Sequence, residues 1–183
     1  MLFGCTGEIR ETTTARTSTE MLLLSTAIDR SIKQLDLLEF SGKKVFIDDT
    51  YFESVDKSYL ISSFREYVSS SFMSIVPKSD SDYIIELRNA GLGTFESNFA
   101  VGLPNMPLVG GGEVDAPPVE IPEVNLFKRI SSQGWCKFKI WIYDNNTGMY
   151  VFKSSSLWGN SYYNQWVIFG IGPFDIENDI YPY

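Results

Sequence analysis

The sequence predicts an α+β fold, with two N-terminal helices and a single mixed β-sheet. Residues 17–88 hold two segments with apolar residues at helical spacing and three short apolar strands, in the order α-β-α-β-β. Residues 135–143 alternate strictly and lead through turn residues into a return strand, which is typical of a β-hairpin. A long loop is predicted before this hairpin, and an aromatic C-terminal segment after it. Because 183 residues are enough for a core, we expect residues 17–183 to form one globular domain.

Both helices have recognisable starts. Thr17 and Glu20 have the form of a capping box, which predicts the beginning of the first helix. Its apolar residues recur at helical spacing as far as Leu38, and the breaker pair at residues 41–42 is predicted to end it. Asp56 is a suitable N-cap for the second helix. The predicted apolar face of that helix consists of Leu60, Phe64, Tyr67, Val68 and Phe72.

Two carboxylates follow the first predicted strand. Residues 43–48 are apolar on both faces in the middle, which indicates a central strand, and Asp48 and Asp49 lie at its end. Ligands often bind at that end of open α/β sheets, so these acids are candidates for function. The simpler explanation is that a strand must leave the sheet into solvent. Further strands are predicted at residues 73–76 and 83–88.

The segment from 91 to 123 is rich in glycine and proline and is predicted to be a long loop. Its apolar side chains distinguish it from a pure linker, and we expect an ordered excursion that makes contacts. Its glycines lack the lysine and the helix that would complete a phosphate site. The candidate partner-binding residues in this segment are Leu103, Asn105, Met106 and Leu108.

The C-terminal segment is strongly aromatic. Its rings could stack on sugars of peptidoglycan or contact a protein partner, although packing over the open end of the sheet also explains them. The candidate binding residues here are Trp158, Tyr162, Tyr163 and Trp166. In the hairpin before them, Cys136 falls on the apolar face and is predicted to be a small core residue, and a disulfide with Cys5 is disfavoured.

Composition excludes several functions. The net charge of −8 argues against binding of nucleic acid or of anionic lipid through a basic patch. The chain contains no histidine, which excludes Ser-His-Asp, Cys-His and histidine–metal catalysis. No run of about 18 apolar residues is present, so no membrane-spanning helix is predicted. We therefore expect no enzyme activity, no metal and no cofactor.

The N-terminus carries a motif around Cys5. Residues 2–6 resemble the end of a bacterial lipoprotein signal peptide, with an aliphatic residue three positions before the cysteine and a small residue directly before it. The resemblance implies lipid on Cys5, and residues 6–16 are polar and threonine-rich, as expected of a tether. Thr6, rather than Asp, resembles the pattern for sorting to the outer membrane. Since only four residues precede Cys5, lipidation requires a longer natural precursor.

Most of the chain resembles an uncharacterised family of Gram-negative lipoproteins, a domain of unknown function. The segments that carry this resemblance are residues 15–20, 22–30, 42–48, 82–88 and 126–128. More distantly, the opening order of helices and strands is similar to the periplasmic fold of curli-secretion lipoproteins. The resemblance implies a location at the periplasmic face of the outer membrane, and it implies no activity.

Two functions of different classes are consistent with these features. The first is a non-catalytic assembly or scaffolding lipoprotein that binds an envelope protein complex or copies of itself. The alternative is a module that binds peptidoglycan or another glycan through the C-terminal aromatic residues.

Overall fold

The computed structural model confirms the α+β fold. It describes residues 7–10, 17–103, 106–108, 119–121 and 124–180. Its helices are α1 (Ser18–Ile32) and α2 (Lys57–Ser70), and short 3-10 helices lie at Leu38–Phe40 and Lys78–Asp80. Its strands are β1 (Gly7–Arg10), β2 (Lys44–Asp48), β3 (Ser74–Ile75), β4 (Tyr83–Leu103), β5 (Met106–Leu108), β6 (Val119–Ile121), β7 (Val124–Asp144), β8 (Tyr150–Lys153), β9 (Leu157–Ile168) and β10 (Ile171–Asn178).

The described strands form one eight-stranded mixed sheet and one two-stranded sheet. In the larger sheet the neighbours follow the order β10-β9-β7-β4-β2-β3, while β1 pairs with β4 and β8 pairs with β7. Strand β2 is parallel to both β3 and β4, whereas β1, β8 and β10 pair antiparallel to their neighbours. Strands β5 and β6 form the small antiparallel sheet.

The chain divides into two compact units. Unit 1 comprises residues 1–11, 95–132 and 162–183, and unit 2 comprises residues 12–94 and 133–161. Both α-helices of the described part of the chain belong to unit 2. The expectation of a single domain over residues 17–183 stays a prediction.

Unit 2 contains the main hydrophobic core. Its largest fully buried side chains include Phe52, Phe64 and Phe138, each with no exposed surface. The predicted alternation of the hairpin strand is confirmed, since Cys136, Phe138, Ile140 and Ile142 are all buried in this core. The helices therefore cover one face of this part of the sheet, and the odd-numbered residues of β7 lie on the other face.

Helix α1 approaches the sheet closely at two glycines. A Cβ atom built on Gly159 would lie 2.1 Å from the carbonyl oxygen of Ala27. One built on Gly134 would lie 2.6 Å from the carbonyl oxygen of Leu23. Any side chain at these positions would push the helix away from the sheet, so glycine is required for the packing distance.

Helix α1 begins as predicted and ends earlier than predicted. The Thr17 amide donates to a Glu20 carboxylate oxygen (2.8 Å), and the Glu20 amide donates to the Thr17 hydroxyl oxygen (3.3 Å), so the capping box is present. The extension of this helix to residue 41 is wrong. The amides of Gln34 and Leu35 donate to carbonyls three residues back, which tightens and closes the last turn. Leu38 is consequently 70% exposed.

Helix α2 follows Asp56 as predicted, although the Asp56 side chain makes no capping hydrogen bond. Leu60, Phe64 and Val68 are buried, in agreement with the predicted face. Phe72 does not belong to that face, because the helix ends at Ser70 and Phe72 adopts a left-handed conformation with φ of 62°. Its ring is 78% exposed.

The predicted long loop is wrong over all of its described residues. Residues 91–103 continue β4, and residues 106–108 pair with residues 119–121. Gly91 and Gly93 have extended backbones here, with open space around them, so these glycines do not break the strand. The remaining part of the segment lies outside the described residues.

Candidate functional site

Asp48 and Asp49 at the end of β2 have structural partners. One Asp48 carboxylate oxygen accepts from the Thr50 amide (3.0 Å), and the hydroxyl of Thr50 is the main reason that the pKa of Asp48 lies below its usual value. Asp49 forms a 2.8 Å ion pair with Lys57. The two acids therefore stabilise the turn into α2. The described residues contain no group of three or more acids or cysteines placed to hold a metal ion.

Cys136 is a buried thiol in the core of unit 2. It is 1% exposed, and the Ser31 hydroxyl donates to its Sγ atom over 3.3 Å. Burial raises the pKa of Cys136 to about 11, and the Ser31 hydrogen bond offsets part of this. The thiol therefore keeps its proton at neutral pH. Because only the thiolate is a nucleophile, Cys136 is unreactive there. Cys5, the candidate lipidation site, lies outside the described residues.

Unit 1 presents a row of apolar side chains across neighbouring strands. Phe99 of β4 meets Phe127 of β7 edge-to-face with ring centroids 6.3 Å apart, and Phe127 meets Trp166 of β9 in the same way at 5.0 Å. Trp166 pairs in register with Phe174 of β10. The guanidinium of Arg129 lies 5.6 Å from the Trp166 ring centroid. We call this surface, with its neighbours in β4, the apolar face of unit 1.

Much of the apolar face is exposed to solvent. Phe99 is 45% exposed, Phe174 is 45% exposed, and Leu103 is 55% exposed. Phe95 and Val101, which share a face of β4 with Phe99 by alternation, are each 37% exposed. Soluble proteins rarely expose contiguous apolar patches without a partner, so this face has the character of an interaction surface.

Trp166 carries an unusual feature within the same face. Its Nε1 atom is buried and has no hydrogen-bond partner among the residues that the structure describes. A buried donor without an acceptor costs about 1–3 kcal/mol, and such groups are rare in native structures. Hydrogen bonding and packing within the chain therefore do not by themselves explain the tryptophan at position 166.

Unit 2 presents a different surface on the side of the sheet that the helices leave open. Trp135 of β7 and Trp158 of β9 stack with planes 8° apart and centroids 6.4 Å apart. They are 43% and 53% exposed. The indole nitrogen of Trp135 donates to the Gln133 side-chain oxygen (3.1 Å), which fixes the orientation of its ring.

A second aromatic group on the same side of unit 2 holds cations. The Arg88 guanidinium lies 4.4 Å from the ring centroid of Trp141, and the Lys153 ammonium lies 4.8 Å from it. Arg88 also donates to the Tyr143 hydroxyl oxygen (3.2 Å) and forms an ion pair with Glu86. Cation–π contacts of this kind hold Arg88 and Lys153 beside the same ring. We call the two groups together the aromatic–basic face of unit 2.

A family model with the description "Family of unknown function (DUF6655)" matches residues 2–182. The chain belongs to that family. No curated protein and no solved structure matches it. The prediction of an uncharacterised family is thus confirmed, while the finer resemblance of this DUF6655 chain to lipoproteins and to the curli-secretion fold stays a prediction. Among the described residues, no helix has the length and apolar content needed to cross a membrane.

The structure distributes the predicted partner-binding residues of this DUF6655 chain over both units. Leu103 and Trp166 lie on the apolar face of unit 1, and Trp158 lies on the aromatic–basic face of unit 2. Tyr163 is 8% exposed, and its hydroxyl donates to Asp175, so it serves as a packing residue. Tyr162 is half-buried, and its amide donates to an Asp179 carboxylate oxygen (2.7 Å).

The other three candidates lie in or next to β5. Met106 and Leu108 pair in register with Ile121 and Val119 of β6. Asn105 lies outside the described residues.

Several residues of both faces were not singled out from the sequence of this DUF6655 chain. The spacing of Phe95, Phe99, Val101 and Leu103 is that of alternate strand positions, and it was the available signal for the apolar face. In the alternating segment 135–143, Trp135 and Trp141 fall on the side opposite to the apolar residues, which indicates that both rings lie away from the core. No local signal connects Arg88 or Lys153 with Trp141, because these contacts cross between strands.

Proposed function

We propose that this chain is a non-catalytic protein of the bacterial envelope that binds a protein partner through the apolar face of unit 1. Lipid on Cys5 would hold it at the periplasmic face of the outer membrane. The observation that carries the proposal is the continuous row from Phe99 through Phe127 to Trp166, with exposed apolar neighbours on both sides.

The apolar face is suited to a protein partner for physical reasons. Its side chains project from paired strands, so little conformational freedom is lost when they are covered. Aromatic residues and arginine are the residue types enriched at the centres of protein interfaces, and Phe127, Trp166 and Arg129 occupy the middle of this face. Burial of its exposed rings would then contribute the main part of the binding free energy.

The chemistry of the chain supports a binding role over catalysis. No histidine is present in the sequence. The buried thiol of Cys136 is held in its protonated form, and Asp48 and Asp49 are engaged in the turn before α2. These groups do not form the pair of a nucleophile and a base, or of an acid and a base, that hydrolytic or transfer chemistry requires.

A photo-crosslinking experiment in the native bacterium tests the partner. A photoreactive phenylalanine analogue would replace Phe99 in one strain and Phe72 in a matched control, since both phenylalanines are well exposed and they lie in different units. We expect an adduct with a distinct envelope protein from position 99 and none from position 72. A Leu103→Asp substitution should abolish that adduct, because it places a charge on the apolar face.

The possible outcomes separate the forms of the proposal. An adduct of twice the chain mass would indicate self-assembly through this face. Equal labelling from positions 72 and 99, or an adduct that persists unchanged with Leu103→Asp, would contradict a partner site on the apolar face.

The lipid anchor needs its own test. Cells that express the natural precursor would be fed an alkyne-tagged fatty acid, and the purified protein would be examined by mass spectrometry of its N-terminal peptide. We expect the tag on wild-type protein and its loss with Cys5→Ser. Tag incorporation that is unchanged by Cys5→Ser would refute lipidation at that residue.

A second candidate function is glycan binding, favoured by the aromatic–basic face of unit 2. Trp135 and Trp158 present parallel, half-exposed indole rings. The C–H faces of pyranose rings pack well on such rings because both surfaces are flat and apolar. Of the aromatic residues predicted for this function, Trp158 is the one in unit 2.

A further inference from the structure

We propose that the aromatic–basic face of unit 2 binds an acidic polysaccharide, with sugar rings on Trp135 and Trp158 and acidic groups on the lysines of β7 and β8. The inference rests on the second candidate function, glycan binding, and adds the chemical class of the glycan. It depends on the charge and spacing of side chains along one strand.

The spacing along β7 fits an elongated ligand. Trp135 and Trp141 are six residues apart on the same strand, a separation of about 20 Å at about 3.3 Å per residue. Because side chains alternate, residues 135, 137, 139, 141 and 143 share the face that the helices leave open. Their neighbours Cys136, Phe138 and Ile140 are buried on the other side, which confirms this assignment. The Trp135–Trp158 pair and the cations around Trp141 thus lie at opposite ends of one row of side chains. We call this row, residues 135, 137, 139, 141 and 143 of β7 with Lys153 of β8, the track.

The charge of this track is opposite to that of the whole chain. The protein carries a net charge of −8, yet Lys137 and Lys139 lie between the two aromatic groups, and Lys153 lies across from Trp141. On this side of the sheet, the residues that β7 and β8 contribute to unit 2 include no acid. Among the described strand residues of unit 2, the acids on the same side are Glu86 of β4 and Asp48 of β2, which are paired in register with each other.

The lysines of the track are available to a ligand. Within the described part of the chain, Lys137, Lys139 and Lys153 form no ion pair with a carboxylate, and Glu86, the acid of β4 on this side, is engaged by Arg88. Trp141 holds Arg88 and Lys153 close together without neutralising either charge. On β4, β7 and β8 the three lysines stand beside a single Arg88–Glu86 ion pair, and this excess of positive charge favours a ligand with regularly spaced negative groups.

A glycan fits these features better than other polyanions do. A folded acidic protein would not need the exposed parallel indoles, and the bases of duplex nucleic acid, which are stacked inside the helix, could not use them either. A polysaccharide of uronic acids offers both a ring for Trp135 and Trp158 and carboxylates for the lysines. The combination of stacking and charge is the feature that identifies the ligand class.

Titration calorimetry with matched oligosaccharides tests the inference on the full chain. The probes are oligogalacturonate and the same oligosaccharide with its carboxylates methyl-esterified, which removes the negative charges and leaves the sugar rings unchanged. We expect the acidic form to bind at least about tenfold more tightly than the ester, because the ester cannot form charge-assisted hydrogen bonds with the lysines. Its affinity should also fall as salt is added.

Variants connect the binding to the track. Lys137→Gln with Lys153→Gln should reduce affinity for oligogalacturonate to that of the ester and leave ester binding unchanged. Trp158→Ala should weaken both probes, and it should leave the fold intact because the ring is 53% exposed. Lys33→Gln, at an exposed lysine on the helical side, is the matched control and should change neither affinity.

The outcomes decide between glycan binding and the acidic class. Equal affinity for the acid and the ester would overturn the acidic class while glycan binding stands. Failure to bind either probe would overturn both. Equal binding of polyglutamate or single-stranded DNA would show that charge alone is recognised and would also overturn the proposal.

Discussion

Units 1 and 2 handle their aromatic residues in opposite ways. In unit 2, Phe64 and Phe138 are fully buried between helices and sheet, and the open side carries lysines and half-exposed tryptophans. In unit 1, the ring of Phe99 lies on strands that no described helix of that unit covers, and it remains 45% exposed. Apolar rings therefore stabilise the fold in unit 2, whereas in unit 1 a substantial part of their surface is available to a partner.

Replacement of one phenylalanine in each unit gives the largest expected contrast. Phe138→Ala should lower the free energy of unfolding by about 3–5 kcal/mol, because it removes a fully buried ring and leaves a cavity. Phe99→Ala should lower it by less than about 1 kcal/mol, because much of that ring already contacts water. Urea unfolding of both variants, followed by circular dichroism, measures the difference.

The control for this contrast is a smaller change at the same core site. The free energy of unfolding of Phe138→Leu should lie between those of wild type and Phe138→Ala. This variant keeps the test interpretable if Phe138→Ala does not fold. Equal losses for Phe99→Ala and Phe138→Ala would mean that the apolar face of unit 1 is structural, and the proposed partner site would lose its support.

The close approach of α1 to β9 provides the next largest effect. Gly159→Ala should destabilise the protein by about 1–3 kcal/mol, because the new methyl group would overlap the Ala27 carbonyl oxygen. Gly93→Ala is the matched control in the same unit, since nothing lies within 4 Å of its added Cβ, and it should change stability by less than about 0.5 kcal/mol. Thermal unfolding of the two variants measures the difference, and Gly159→Ala should have the lower melting temperature. Equal melting temperatures would contradict a tight contact between α1 and β9.

Buried polar groups offer a smaller contrast. Ser161 in unit 2 is fully buried and donates to the Leu23 carbonyl oxygen over 2.6 Å, so Ser161→Ala should cost about 1 kcal/mol. The indole nitrogen of Trp166 in unit 1 finds no acceptor within the described part of the chain, so Trp166→Phe removes an unsatisfied donor and should cost less than about 0.5 kcal/mol. A loss from Trp166→Phe as large as that from Ser161→Ala, measured by urea unfolding, would show that the indole contributes through its packing.

The parts of the fold that the sequence predicted correctly are those with local signals. The capping box of Thr17 and Glu20 predicts a helix start from only four residues, and the alternation around Phe138 indicates directly which face of the strand is buried. Helix ends are set by competition with turns, so the apolar spacing that continued through Leu35 to Leu38 extended the first helix too far. Phe72 fitted the helical period for the same reason, although its backbone conformation lies outside any helix.

The long strands and both candidate faces required information that the local sequence does not hold. Gly91 and Gly93 are typical loop residues, and only pairing with other strands keeps them extended. Composition therefore predicted a loop where β4 continues. Likewise, the positions of Arg88 and Lys153 beside Trp141 follow from strand register, which the spacing within one strand cannot provide.

The buried thiol of unit 2 should have the smallest effect on the free energy of unfolding at neutral pH, and its effect should appear at alkaline pH. The pKa of Cys136 is raised from 9.0 to about 11, so the folded and unfolded states both keep the proton at pH 7 and no stability difference arises. Above pH 9 the unfolded state loses this proton first, and stability should fall until the pH passes about 11. Between pH 7 and pH 10, wild type should lose about 1 kcal/mol more than Cys136→Ala, because the other titrating groups are common to both. Urea unfolding of the pair at the two pH values measures this difference, and equal losses would show that the thiol is not shielded as its burial against Ser31 requires.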